Sequence, residues 1–513
     1  MKSHWANTWL TAALTLAHIG VLQPANAQRH VESVEWGSLN APPFPPFLTT
    51  KKSHNAGKAP WGGLDNSLQA PERPFRTGVT RYYDFVISRA KIAPDGYVKG
   101  SILVNSQFPG PPLEANWGDE IVIKIFNNIT APAEGTSIHF HGIRNQGTPW
   151  YDGVPGVSQC PIAPGATFTY RFLADAYGTT WYHSHYAAQY TAGVFGPLII
   201  YGPKHQPYDI DVGPIMIGDH YHSDYVDVVK NVTARTNDFN TYVPKSDNSL
   251  INGMNPFNCS LDVFGGICGS NAPTAKFRFK RGKTHRLRLI NVGAAAFVKF
   301  SIDEHKLQVI SNDLVPLEPY EVDFVPLSVG QRVDVLISAR NNTNNALWMR
   351  STISMNCSAA RMQDARAVVL YDNANEEAIP HSVQSAAVIE ANDKLTLCKN
   401  DDLKKTVPYF PVPVVAEPDT TLHVLVNLTA NNTGTQVWSL NNRTQFTNYN
   451  QPLLLQVNRK NFSFPDPSAN MYNFGVNRTI RIVMNTVYQS GHKFYPRAQE
   501  LGTGAQSSAP TIH

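Results

Sequence analysis

From Thr80 onward, apolar residues recur at every second position. Tyr83, Phe85 and Ile87 form one such series, Ile121, Ile123 and Ile125 a second, and Phe168, Tyr170 and Phe172 a third. Successive side chains of a strand point to opposite faces, so this alternation marks segments with one face in a core. Clusters of Gly, Pro and Asn separate the segments, as turns require. Helical periodicity is scarce. The pattern predicts an all-β protein built of sandwiches or barrels.

One strand pattern recurs. GDEIVIKIFNN (118–128) is followed by TSIHFHG, GKTHRLRLINV (282–292) by VKFSIDEHKLQVI, and VNRTIRIVMNT (476–486) by a loop and PTIH. Three copies predict three related β domains. The Pro-rich stretches YGPKHQPYD and VPYFPVPVVAEP mark joints near 205 and 405. The expected organisation is a leader (1–27), a Pro-rich extended lead-in (28–78), a first domain (79–205), a second domain with linker (206–405) and a third (406–513). The third is expected to be incomplete, because the first copy continues SIHFHG where the third reads TIH up to His513.

The leader has Lys2, an apolar run from Trp9 to Leu22 and the small-x-small site Ala25-Asn26-Ala27. That is the pattern of a secretory signal peptide. Sequons at Asn128, Asn231, Asn258, Asn341, Asn356, Asn427, Asn431, Asn442, Asn461 and Asn477 agree with a secreted glycoprotein. In an oxidising compartment, Cys259–Cys268 and Cys357–Cys398 are the natural local disulfides, which leaves Cys160 alone. No other apolar run reaches the ~18 residues of a membrane span.

Composition narrows the function classes. Of 513 residues only 16% are charged, against about 25% in an ordinary soluble domain. This excludes a coiled coil, a collagen-like chain and a disordered tail. With a net charge of +4 and no Lys/Arg block, there is no electrostatic footprint for nucleic acid.

Two histidine pairs carry the candidate chemistry. In His139-Phe140-His141 the i, i+2 spacing puts both imidazoles on one face of a strand. Trp181-Tyr182-His183-Ser184-His185 repeats the arrangement. Two strands presenting two imidazoles each form a metal constellation, and imidazole suits copper, zinc and iron. A third pair, His220-Tyr221-His222, reads as structural; His305 reads as a solvated hairpin tip, and His423 and His492 as surface residues. There is no Gly-rich phosphate loop and no nucleophile elbow.

HFHG, PWYDGVPGVSQCPI and GTTWYHSHYAAQYTAGVFGPLIIYG together resemble the multicopper oxidases, in particular the laccases of filamentous ascomycete fungi. The resemblance implies three cupredoxin-like Greek-key β domains. It makes His139 a ligand of the type 2 copper and His141, His183 and His185 ligands of the type 3 pair, in a cluster that reduces dioxygen to water. Asp152 would deliver protons and orient bound water. The family also uses an HPxHxHG and an HCH segment near its C-terminus. No Cys here has a His neighbour, and His513 stands where the HPxH series would begin, after a departing Pro510-Thr511-Ile512. The chain as written is therefore expected to lack the type 1 copper site. Cys160 resembles the family cysteine that bonds the C-terminal tail.

Two functional readings follow. One is a secreted monomer acting as a laccase-type oxidase of phenols or related small aromatics, with dioxygen as co-substrate and with neither nucleic acid nor membrane as partner. The other is a truncated, catalytically silent cupredoxin protein with residual copper binding. Blue absorbance from a Cu–thiolate bond separates them.

Overall fold

The computed structural model of the chain describes residues 36–49, 58–66, 74–234, 243–269, 271–340, 345–393, 399–411, 416–444, 447–464, 470–475, 479–486 and 511–512. Strands dominate it. The first group is β1 (Thr80–Ile92), β2 (Lys99–Val104), β3 (Leu113–Asn116), β4 (Glu120–Asn128), β5 (Ile138–Phe140), β6 (Thr167–Leu173), β7 (Gly178–Ser184) and β8 (Phe195–Tyr201). These form two four-stranded sheets, in the orders β2-β1-β4-β6 and β3-β8-β7-β5.

The second group is β9 (Ile210–His220), β10 (Lys245–Ser246), β11 (Asn248–Ile251), β12 (Lys276–Phe279), β13 (Thr284–Asn291), β14 (Val298–Ile302), β15 (Leu307–Asn312), β16 (Val315–Val322), β17 (Val325–Leu327), β18 (Arg332–Ser338), β19 (Ala346–Ile353), β20 (Ala359–Ala360) and β21 (Asp364–Tyr371). A six-stranded sheet, β11-β9-β13-β18-β15-β16, stands with a five-stranded one, β12-β21-β19-β14-β17, and β10 pairs with β20. Last come β22 (Thr420–Ala430), β23 (Gln436–Leu440), β24 (Ile480–Thr486) and β25 (Thr511–Ile512), in the order β23-β22-β24-β25. Among the described residues, three short α-helices interrupt the strands: α1 (Tyr225–Thr233), α2 (Ala386–Asp393) and α3 (Leu453–Asn458).

The recurring sequence takes a recurring place. β4 runs parallel to β1 and antiparallel to β6. β13 likewise runs parallel to β9 and antiparallel to β18, and β24 runs parallel to β22. In the first two groups the next strand crosses to the other sheet, β5 pairing with β7 and β14 with β19. β25 instead pairs antiparallel with β24, the place β6 has beside β4. His513 lies outside the described residues.

The cores follow from the alternation. Phe85, Ile87, Ile121, Ile123, Ile125, Phe140, Tyr170 and Phe172 are all buried between the first two sheets. Each such side chain contributes roughly 1.5–3 kcal/mol. The second core gathers Phe277, Phe279, Leu287, Leu289, Val298, Phe300, Val335 and Met349. The lead-in carries no strand among its described residues, but it is pinned by buried Trp36, Phe44 and Trp61 and by a Phe44 N–H donated to the Asp211 carbonyl at 2.9 Å.

Cys259 and Cys268 are disulfide-bonded. Cys357 is disulfide-bonded as well; Cys398, its expected partner, lies outside the described residues, as do the leader and His492. Cys160 is exposed with a free thiol. His423 is exposed on β22. His305 corrects the expectation from sequence: it is buried, not solvated, because the β14–β15 turn folds inward. Its Nδ1 meets the Asp303 carbonyl at 2.9 Å and its Nε2 the Tyr371 hydroxyl at 2.7 Å.

Candidate metal centre

Four of the sequence-predicted histidines come together at one sheet edge. β5 and β7 are antiparallel, and their register sets His139 directly opposite His183. The i, i+2 spacing then adds His141 and His185 on the same face. Ring centroids lie 5.7 Å apart for His139–His141, 5.3 Å for His139–His183, 5.6 Å for His139–His185, 5.5 Å for His141–His183 and 5.9 Å for His183–His185. Phe140, between the first pair, points the other way into the core and packs on Phe172 at 4.5 Å. Ligand atoms of His139, His141 and His183 all lie within 4.8 Å of one another.

The surroundings fix the rings. His139 Nδ1 lies 2.6 Å from the Asp152 backbone carbonyl oxygen and 3.3 Å from its carboxylate, so Nδ1 carries the proton and Nε2 is left as the donor to a metal. His183 Nδ1 faces the Ser184 carbonyl at 3.0 Å, with the same consequence. His141 Nδ1 and His183 Nε2 stand 3.3 Å apart. Two ring nitrogens at that distance need a proton or a cation between them, and N–metal–N angles near tetrahedral give about the same separation. Trp181, 2% exposed, stacks on His183 at 4.2 Å and on His141 at 5.4 Å. This all-imidazole donor set fits copper.

Asp152 arrives through a turn that needs Gly153. Gly153 has φ +82°, and a Cβ there would lie 1.9 Å from the Ile138 carbonyl oxygen. The Asp152 side chain is 36% exposed and accepts from Asn145 Nδ2 at 3.3 Å. Burial works to raise its pKa; the His139 hydrogen bond and the charges of His139 and His185 outweigh it, so the carboxyl sits below its ordinary value. Asn145 was not singled out from the sequence, and Trp181 was quoted only as a neighbour of the second pair; its i, i+2 spacing from His183 was the signal that places its ring on the same face.

A second cluster is also present. His220 and His222, read from sequence as structural, meet Asp95, and ligand atoms of the three lie within 4.8 Å of one another. All three are buried. Burial, then the nearby Lys99 charge, pushes the His220 pKa down to about 3. Burial opposes ionisation of Asp95, but the His222 hydrogen bond and the charges of His220 and His222 hold it below its usual value.

Comparison with known proteins gives the family. Two family profiles, each described as multicopper oxidase, match residues 86–205 and 211–374. Laccase-2 of Botryotinia fuckeliana is 32% identical over 92% of this chain and 80% of its own length. Oxidoreductase OpS5 of Beauveria bassiana is 35% identical over 86% of this chain and 74% of its own. Among solved structures, the laccase from Botrytis aclada superposes with a TM-score of 0.75 at 34% identity, over 84% of this chain and 77% of that one.

Proposed function

The chain belongs to the multicopper oxidase family, and on that premise we propose that it acts as a laccase-type oxidase whose oxygen-reducing cluster is held by the β5 and β7 histidines. His139 would hold a type 2 copper, and His141, His183 and His185 the type 3 pair. His513 is carried as a further ligand on the resemblance alone. The observation that supports this most is the convergence of four imidazoles around the β5–β7 register. Bound copper supplies one-electron redox chemistry: four one-electron oxidations of a phenol or related aromatic reduce one dioxygen to two waters, with four protons taken up.

The protein's own residues do the rest. Asp152 holds His139 in one tautomer through its carbonyl. Its carboxylate, partly open to solvent and tied to Asn145, is placed to pass protons inward. Trp181 covers one side of His141 and His183, keeping water off that face. The domain limits 79–205, 206–405 and 406–513, and export through the 1–27 leader, belong to the same proposal.

A second reading rests on the cysteines. Cys160, Cys259, Cys268, Cys357 and Cys398 all lack a His neighbour, and a type 1 site needs a Cys thiolate with two His. These 513 residues would then bind copper without a blue electron-entry site. The visible spectrum of the copper-loaded chain decides between the two. An intense blue Cu–thiolate band with oxidation of a phenolic dye supports the full oxidase; copper uptake with neither supports the silent copper-binding form.

A further inference from the structure

We propose that Asp95, His220 and His222 form a second, structural site for a first-row divalent cation of the zinc class, sharing no ligand with the four-histidine cluster. Three residues of ligating type meet in the interior: Asp95 is 0% exposed, His220 4% and His222 6%. Asp95 comes from the turn after β1, and the two histidines from the end of β9, so the site joins the first group of strands to the second.

The donor atoms are arranged for a swap of proton for metal. His222 Nε2 lies 2.9 Å from Asp95 Oδ2. A tetrahedral ion with ~2.0 Å bonds to both would set them about 3.3 Å apart, a movement of a few tenths of an ångström. Binding would release the shared proton. The third donor is waiting: His220 Nε2 is buried with no hydrogen-bond partner. A satisfied structural network would not leave it so.

The walls suit a closed site. The Tyr97 ring stacks on His222 at 3.9 Å and the Phe257 ring meets it edge-on at 4.5 Å. Asn248 Nδ2 donates to Asp95 Oδ2 at 3.1 Å and the Tyr97 N–H to Asp95 Oδ1 at 3.1 Å, orienting the carboxylate. A cavity of about 30 Å³ borders His220 on the side of Phe108, Met216 and Leu250, with room for one water. The opposing charge is Lys99, held on the Tyr221 carbonyl; Asp224 and Asp247 face it along with Asp95 and offset it.

Cobalt(II) tests this, because its visible bands report four-coordinate N/O ligation. The full chain carrying His139→Ala and His183→Ala, which removes the first cluster, is loaded with Co²⁺ and desalted. One retained equivalent with tetrahedral-type bands is expected, with a melting temperature raised by Zn²⁺ and not by Mg²⁺. Adding His220→Gln, or separately Asp95→Asn, should lower the affinity at least tenfold. Retention of no cobalt and no Zn²⁺-dependent rise in melting temperature overturns the proposal. So does retention that neither further substitution weakens. Should His220→Gln unfold the chain, the Asp95→Asn affinity and the Zn²⁺-dependent melting shift decide the question by the same criteria.

Discussion

The Asp152 backbone carbonyl oxygen accepts a hydrogen bond from His139 Nδ1 at 2.6 Å, closer than the Asp152 carboxylate oxygen at 3.3 Å. The backbone, more than the side chain, therefore fixes the His139 tautomer. Gly153 keeps that carbonyl in place, because any Cβ there collides with the Ile138 carbonyl. Gly153→Ala should thus weaken copper binding more than Asp152→Ala does. About a tenfold loss is expected for Asp152→Ala, and up to about a hundredfold for Gly153→Ala. Copper affinity of the two variants, measured by competition with a chelator, checks the order.

Trp181 supports two imidazoles at once and is buried beside Phe195, Met216 and Ile290. Trp181→Ala should cost about 3–5 kcal/mol of stability. Trp181→Phe keeps an aromatic face and should cost less than half of that. Urea unfolding gives both figures, and copper affinity should fall in the same order.

The strand that carries His183 is also held from the second group of strands. Arg288, 2% exposed, donates to Asp211 Oδ2 at 2.7 Å and to Thr179 Oγ1 on β7 at 2.9 Å. Arg288→Ala strands the Asp211 carboxylate in the interior, at a cost of about 3–5 kcal/mol. Arg288→Ala with Asp211→Ala should recover part of it, which a double-mutant cycle measures.

His285 gives a pH dependence. It is 0% exposed, its Nε2 accepts the Lys280 N–H at 3.0 Å, and burial pushes its pKa down to about 4. Its unfolded value is about 6.5. Between these values the unfolded chain holds a proton that the folded chain refuses, so stability falls as pH drops from about 6.5 to about 4. The loss attributable to this residue is about 3 kcal/mol. His285→Gln keeps an acceptor for Lys280 without the titration, and its stability should change less over that range.

Much of the first site was legible in the sequence because strand alternation leaves little choice. Once His139 and His141 lie on a strand, they share a face, and so do His183 and His185. The β5–β7 register was not legible, since no local pattern says which residues pair across a turn-rich stretch of about forty residues. The Asp152 carbonyl contact was hidden for the same reason: it depends on a turn conformation, and the residue type hints only at the carboxylate. His305 misled because Asp303-Glu304-His305 looks like a polar hairpin tip; the Tyr371 hydroxyl that draws it inward is 66 residues away. Asp95, 127 residues before His222, could not have been attached to the second pair by spacing.

Copper stoichiometry tests the central reading most directly. The full chain and its His141→Ala, His183→Ala double variant are dialysed against buffered Cu²⁺, and bound copper is counted by elemental analysis. Loss of at least one copper per chain in the double variant, with its far-ultraviolet circular dichroism unchanged, is the expected result. Equal copper in both proteins would contradict the assignment of β5 and β7 as the walls of the metal centre.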